Sequence, residues 1–179
     1  KNYKKMISMG LKEEGNLILV IGKTEGHLEQ TIFAREILSE KKGPPPEINL
    51  FNEKNNGLTI SKLIKDNLIE SCHDVSLGGI LIATSKMCIK SKKGIKINNL
   101  KNLINKFEYF FSEDQGRYLV EINKDNFKKV EKVLIDNSVH FDELGVVNDN
   151  KFLFSDEIDL SIEDLIKAYK NWLKKYMVN

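Results

Sequence analysis

The stretch HDVSLGG, residues 73–79, sets a histidine, a carboxylate and a hydroxyl just ahead of two glycines. It follows the apolar run NLIESC and precedes ILIATSKMCIK, so it reads as the turn from a strand into a helix. Asp74 would then stand at the rim of a sheet. Ser76 would cap the helix, and Gly78 and Gly79 would leave its first amides open to close approach. Bare amides at a helix start attract anions, which gives one reading: a phosphate or metal–phosphate site. The plainer reading is a corner where the glycines let helix and sheet pack closely while His73 and Ser76 satisfy local backbone. A Gly-Gly pair standing alone favours the plainer one.

Two further stretches hold polar groups. GKTEGHLEQ, residues 22–30, has the look of a phosphate loop, but no GK[ST] ending stands in register with an upstream glycine, so the Walker reading fails. His27 and Gln30 could line a cleft at the start of the next helix, although a histidine merely near a helix start is the commoner case. In FFSEDQGRY, Glu113, Asp114 and Gln115 occupy a turn and Arg117 opens a strand. Acids beside an arginine at a strand edge usually form a solvated ion pair of little worth. Cys72, His73, His27 and His140 match no zinc-ligand spacing. Ser76, His73 and Asp74 are nearly adjacent, whereas a catalytic triad draws its members from separate segments. No metal site is expected.

The chain of 179 residues is long enough for one domain with its own core. Its net charge of +2 and only two arginines, Arg35 and Arg117, argue against nucleic-acid binding. No apolar stretch has the length of a membrane span, and no signal-peptide pattern opens the chain. Two cysteines, Cys72 and Cys88, with no CxxC pair suggest a reducing, cytoplasmic setting. The opening KNYKKMISMGLKEEG reads as the middle of a longer protein.

Positioning these groups requires a mixed set of elements. NLILVIG (16–22) reads as a buried strand. With Thr24 as cap, HLEQTIFAREILSEKK reads as a helix burying Leu28, Ile32, Phe33 and Ile37. KKGPPP must be a loop. A helix within 47–67 would turn Leu58, Ile60, Leu63 and Ile64 inward, and a strand over 69–74 leads to the corner. The next helix shares one face among Ile80, Ala83, Thr84 and Met87. A strand GIKINN, a helix LKNLINKF, a strand GRYLVEIN and a helix DNFKKVEKVLIDN burying Phe127, Val130, Val133 and Leu134 follow. VHFDELGVV and KFLF, joined by NDN, read as a hairpin. Ser161 and Asp164 form a capping box for a last helix with a stripe of Ile162, Leu165, Ile166, Tyr169 and Leu173. Strands and helices mix without strict alternation, so the class is α+β, a mixed β-sheet covered by helices.

Singly these signals are weak, but their order is informative. GKTEGHLEQTIFAREI, KKGPPPEINL, HDVSLGGI and FFSEDQGRYLV, in that succession, resemble the phosphoribosylformylglycinamidine synthase II family over nearly the whole chain. The likeness is to its C-terminal quarter, the second of two domains shared with the AIR synthase-related superfamily. The proline loop after a GxTxGHL helix is specific to this family. Selenophosphate synthetase, thiamine-monophosphate kinase and a hydrogenase maturation factor share only the corner motif. The resemblance implies a single domain over 1–179 with an AIR synthase C-terminal-domain-like fold and a ferredoxin-like strand–helix–strand half.

It further implies that the full-length enzyme is an ATP-dependent ligase of purine biosynthesis. Such an enzyme converts formylglycinamide ribonucleotide and glutamine-derived ammonia to formylglycinamidine ribonucleotide, with magnesium bridging the phosphates. In the first half of such an enzyme, the counterpart of Asp74 binds magnesium and the counterpart of the EDQ turn contacts substrate. The second half, which this chain resembles, holds an auxiliary, non-catalytic cleft. Carried over, His27, Gln30, Asp74, Ser76, Gly78, Gly79, Glu113 and Gln115 would line a vestigial ligand cleft, with no catalytic residue and no bound cofactor. Glu29 stands where the family usually has glycine, Leu77 where it has aspartate and Lys86 where it has glutamate, which demotes the cleft further. Implied partners are the preceding domains of the same polypeptide, a glutaminase subunit and a small accessory subunit. The alternative is a free-standing α+β module that binds a ligand or protein.

Overall fold

LILVI is apolar at every position, so both sides of its pleat must be covered. In the computed structural model, which describes residues 6–98 and 105–178 apart from the side chains of 173–175 and 178, this strand, β1 (Leu17–Ile21), lies inside a seven-stranded sheet. After it come α1 (Ile32–Glu36), α2 (Leu50–Lys65), β2 (Ser71–Asp74), α3 (Gly79–Ser91), β3 (Gly94–Ile97), α4 (Lys106–Phe111) and β4 (Tyr118–Ile122). The chain ends with α5 (Phe127–Asp136), β5 (Phe141–Asn148), β6 (Lys151–Phe154), β7 (Ile158–Ser161) and α6 (Ile162–Val178).

The strand order is β2-β4-β1-β5-β3-β6-β7, antiparallel throughout except where β3 meets β6. Ile18 and Val20 face one core, shared with Ile80, Ala83 and Met87 of α3, Phe110 of α4 and Ile162 of α6. Leu19 and Ile21 face the other, with Ile60 and Leu63 of α2 and Val130 and Leu134 of α5. The class is therefore α+β, a mixed sheet covered by helices on both faces. β4, α5 and β5 form a strand–helix–strand unit split by β1, which runs antiparallel to both strands.

One buried carboxylate ties the N-terminal approach to this sheet. Glu121 of β4 is fully buried and accepts hydrogen bonds from the amides of Lys12 (2.9 Å) and Glu13 (3.0 Å), from Asn16 Nδ2 (2.8 Å) and from Ser71 Oγ (2.9 Å). Surrounded by donors, the charge is tolerated where it would otherwise be expelled.

Several expectations are corrected. The helix over HLEQTIFAREILSEKK is only the five residues of α1, because Gln30 and Ser39 adopt positive φ and break it on either side. Its N-cap is Thr31, whose Oγ1 accepts from Ala34 N at 3.1 Å, not Thr24, and Ile37 is exposed. β5 and β6 do not form a hairpin: β3 lies between them, and Gly94 admits the close approach of the Lys151 backbone that this pairing needs. β6 instead pairs with β7, a strand the sequence did not suggest. Leu58 and Tyr169 are exposed rather than inward. The side chain of Leu173, and the part of LKNLINKF before Asn105, lie outside what the structure describes. Among the described residues no helix is long and apolar enough to cross a membrane.

Candidate functional site: the corner after β2 and the EDQ turn

β2 ends at Asp74, whose side chain is exposed and lies 3.3 Å from Nδ1 of His73. The other ring nitrogen of His73, Nε2, is buried and has no hydrogen-bond partner among the described residues. Burial holds this imidazole below its ordinary pKa, with Asp74 opposing the shift and the Lys86 charge adding to it.

The corner itself is built by glycine. Gly78 is the N-cap of α3, at φ +85°, with no side-chain cap. Ser76 is exposed and contributes its carbonyl, which accepts from Gly79 N at 3.0 Å, so its expected role as hydroxyl cap is not found. A Cβ on Gly79 would stand 2.5 Å from the Phe110 carbonyl oxygen and 2.6 Å from that of Ser112. Close packing against the end of α4 therefore requires glycine there.

One amide of the corner and three of the other loop already hold carboxylates. Glu113 Oε1 accepts from Gly78 N and from Ile32 N, each at 2.9 Å, so one carboxylate oxygen joins the starts of α3 and α1. Its neighbour Asp114 takes the amides of the other candidate loop: Glu25 N (2.9 Å) and Gly26 N (3.0 Å) on Oδ2, and His27 N (3.2 Å) on Oδ1. Successive amides curled around one negative group form an anion nest, here filled by the chain itself. Beneath the turn lies Arg117, fully buried. It donates to the Asp114 carbonyl (3.2 Å), Thr24 Oγ1 (3.0 Å) and the Ser112 carbonyl (2.8 Å), and its Nη1 is 3.8 Å from Asp114 Oδ2.

The solvated ion pair expected of EDQGR is thus a buried one, because the turn folds inward and backbone carbonyls surround the guanidinium. Asp114, Arg117 and Thr24 were absent from the expected site. The one available signal was a lone arginine after a tight acidic turn, facing a glycine-containing loop whose amides needed an acceptor.

Of the expected cleft residues, Glu113, Gly78 and Gly79 come together. His27 and Gln30 point their side chains to the proline loop instead: His27 Nε2 lies 2.9 Å from the Pro44 carbonyl, and Gln30 Nε2 donates to the Gly43 (2.9 Å) and Lys41 (3.2 Å) carbonyls. Gln115 is exposed and donates to the Glu113 carbonyl at 3.3 Å. No hydrogen bond or ion pair among the described residues joins Asp74, Ser76 and Gln115 to one another. The Gly78 amide is occupied by Glu113, Asp74 is a single exposed carboxylate, and no three His, Cys, Asp or Glu side chains gather among the described residues.

Comparison with known proteins agrees with this architecture. Residues 13–155 match the family model "AIR synthase related protein, C-terminal domain". The chain is 61% identical to phosphoribosylformylglycinamidine synthase subunit PurL of Pelagibacter ubique over its full length, and 35% identical to that of Bartonella bacilliformis over 99% of it. In both cases it spans about a quarter (24%) of the relative's length. Among solved structures, PurL of Thermotoga maritima complexed with FGAR superposes with a TM-score of 0.73 at 18% identity, over 92% of this chain and 30% of that one. Thiamine-monophosphate kinase of Stenotrophomonas maltophilia gives 0.59 at 11% identity, over 86% and 54%. By its match to that model over residues 13–155, the chain belongs to the AIR synthase-related protein family, as the C-terminal domain that the model describes.

Proposed function

We propose that the chain serves as the C-terminal domain of a phosphoribosylformylglycinamidine synthase and supports that enzyme's architecture without carrying chemistry of its own. The observation behind this reading is the filling of both amide-lined loops by Glu113 and Asp114. Amides that already hold an internal carboxylate are not free to bind a transferring phosphate. The full-length enzyme would convert formylglycinamide ribonucleotide, ATP and glutamine-derived ammonia to formylglycinamidine ribonucleotide in a cytoplasmic setting. ATP and magnesium would act in its other half. This domain would pack against the preceding domains of the same polypeptide, and a glutaminase and a small accessory subunit would complete the assembly.

Two measurements test the reading. The purified chain, given formylglycinamide ribonucleotide, ATP, magnesium and ammonia, should show no amidation, and turnover would overturn the supporting role. The reading frame upstream should encode a long N-terminal portion with metal-binding acids, and a start codon within a few residues of Lys1 would favour the free-standing module.

A further inference from the structure

The segment from Lys23 to Pro46 leaves β1 at Gly22 and rejoins the body at Asn49, the N-cap of α2. Within it only Thr31 and Ala34 are buried, and neither belongs to the two large apolar clusters. Among the described residues, its hydrogen bonds to the rest of the molecule end on the EDQGR turn. Amides 25–27 donate to Asp114, Ile32 N donates to Glu113, the His27 carbonyl accepts from Glu113 N at 3.4 Å, and Thr24 accepts from Arg117. Its apolar attachment is Phe33, stacked on Phe111 with ring centroids 4.5 Å apart and on Phe107 at 5.8 Å. Its internal bonds, from His27 and Gln30 to the 41–44 loop, make it cohere as a piece. Glycines at positive φ stand just before it, Gly22 at +95°, and within it, Gly26 at +86° and Gly43 at +102°.

We infer that residues 23–46 are a flap that opens as one unit over the β2–α3 corner, with Glu113 and Asp114 as its latch. A segment with two buried residues, outside both large clusters and held chiefly by one turn and one ring stack, opens at lower free energy than the domain unfolds. Glu113 couples the two events, since the same oxygen holds Ile32 of the flap and Gly78 of the corner. Opening the flap takes away the partner that positions the carboxylate over the corner amide.

Hydrogen exchange followed by mass spectrometry on the chain tests it. In the wild type, amides across 25–38 should exchange at one common opening rate, well ahead of β1 and β4. Glu113→Ala removes a charge-assisted acceptor, so exchange should rise about tenfold or more across that whole set, with the strands unchanged. Phe33→Ala loosens the flap from its apolar side and should accelerate the same amides, which answers the question should Glu113→Ala fail to fold. Acceleration confined to Ile32 and Gly78, different amide sets in the two variants, or acceleration shared by β1 and β4 would each overturn the flap.

Discussion

Arg117 and Asp114 are neighbours under a turn that the chain folds inward, with Nη1 3.8 Å from Oδ2 and the arginine side chain wholly buried. The pair unites three segments, because Asp114 holds the 25–27 amides while Arg117 holds Thr24 and the end of α4 through the Ser112 carbonyl. Removing one member strands the other charge and several polar groups. Arg117→Met should therefore lower stability by about 3–5 kcal/mol in urea denaturation. Arg117→Lys should recover little, since a single ammonium cannot reach the three acceptors that the guanidinium fork spans. A loss below about 1 kcal/mol for the methionine variant would mean that the burial carries no energetic weight.

What the sequence made legible follows from how local each feature is. The face Ile80, Ala83, Thr84 and Met87 is buried as its helical spacing requires. The Ser161–Asp164 capping box closes with Asp164 N donating to Ser161 Oγ at 3.1 Å. Both features are complete within a turn or three of one helix. The insertion of β3 between β5 and β6 was not legible, because it depends on a parallel pairing across more than fifty residues of chain, Ile95 with Phe152. The corner was legible as a corner, but not its occupant. Glu113 reaches Gly78 across 35 positions, and no periodicity records that distance. Arg117 misled for a similar reason: two of its acceptors are backbone carbonyls, which every residue possesses.

Glu121 gives a second stability prediction. Its carboxylate is the common acceptor for two main-chain amides, Asn16 and Ser71, all tying residues 12–16 and β2 to β4. Glu121→Leu leaves those donors, two of them buried and two partly buried, without an acceptor and should cost about 3–5 kcal/mol. Glu121→Gln keeps one acceptor oxygen and should fall between wild type and leucine. Thermal unfolding of the three proteins gives the order directly, and a leucine variant as stable as wild type would show that the donors find water.

Stability should decline in mild acid on account of His73. Its ordinary pKa is 6.5 and burial lowers it in the folded chain. The unfolded state therefore takes up the proton first, so this residue's contribution is complete above pH 6.5 and is lost as pH falls toward and through the folded value. Asp74 and Lys86 are the charges that face it, and they act in opposite directions. Comparing denaturation midpoints at pH 7.5 and pH 5.5, His73→Asn should show a smaller drop than wild type. Equal drops in the two proteins would assign the acid sensitivity to the carboxylates alone.

The two thiols should be inert in the folded protein. Burial pushes both Cys72 and Cys88 up to about 12, and for Cys72 the Asp74 charge adds to the effect. The thiolate is the reactive species, and at pH 8 its fraction at such a pKa is about a thousandfold below that of a free cysteine. Ellman's reagent should label neither residue at an appreciable rate under native conditions and both promptly in guanidinium. Cys72 sits on edge strand β2 and is only partly covered, so it is the more demanding case. If Cys72 reacts at the free-thiol rate while Cys88 stays silent, then β2 opens independently of the core that holds Cys88.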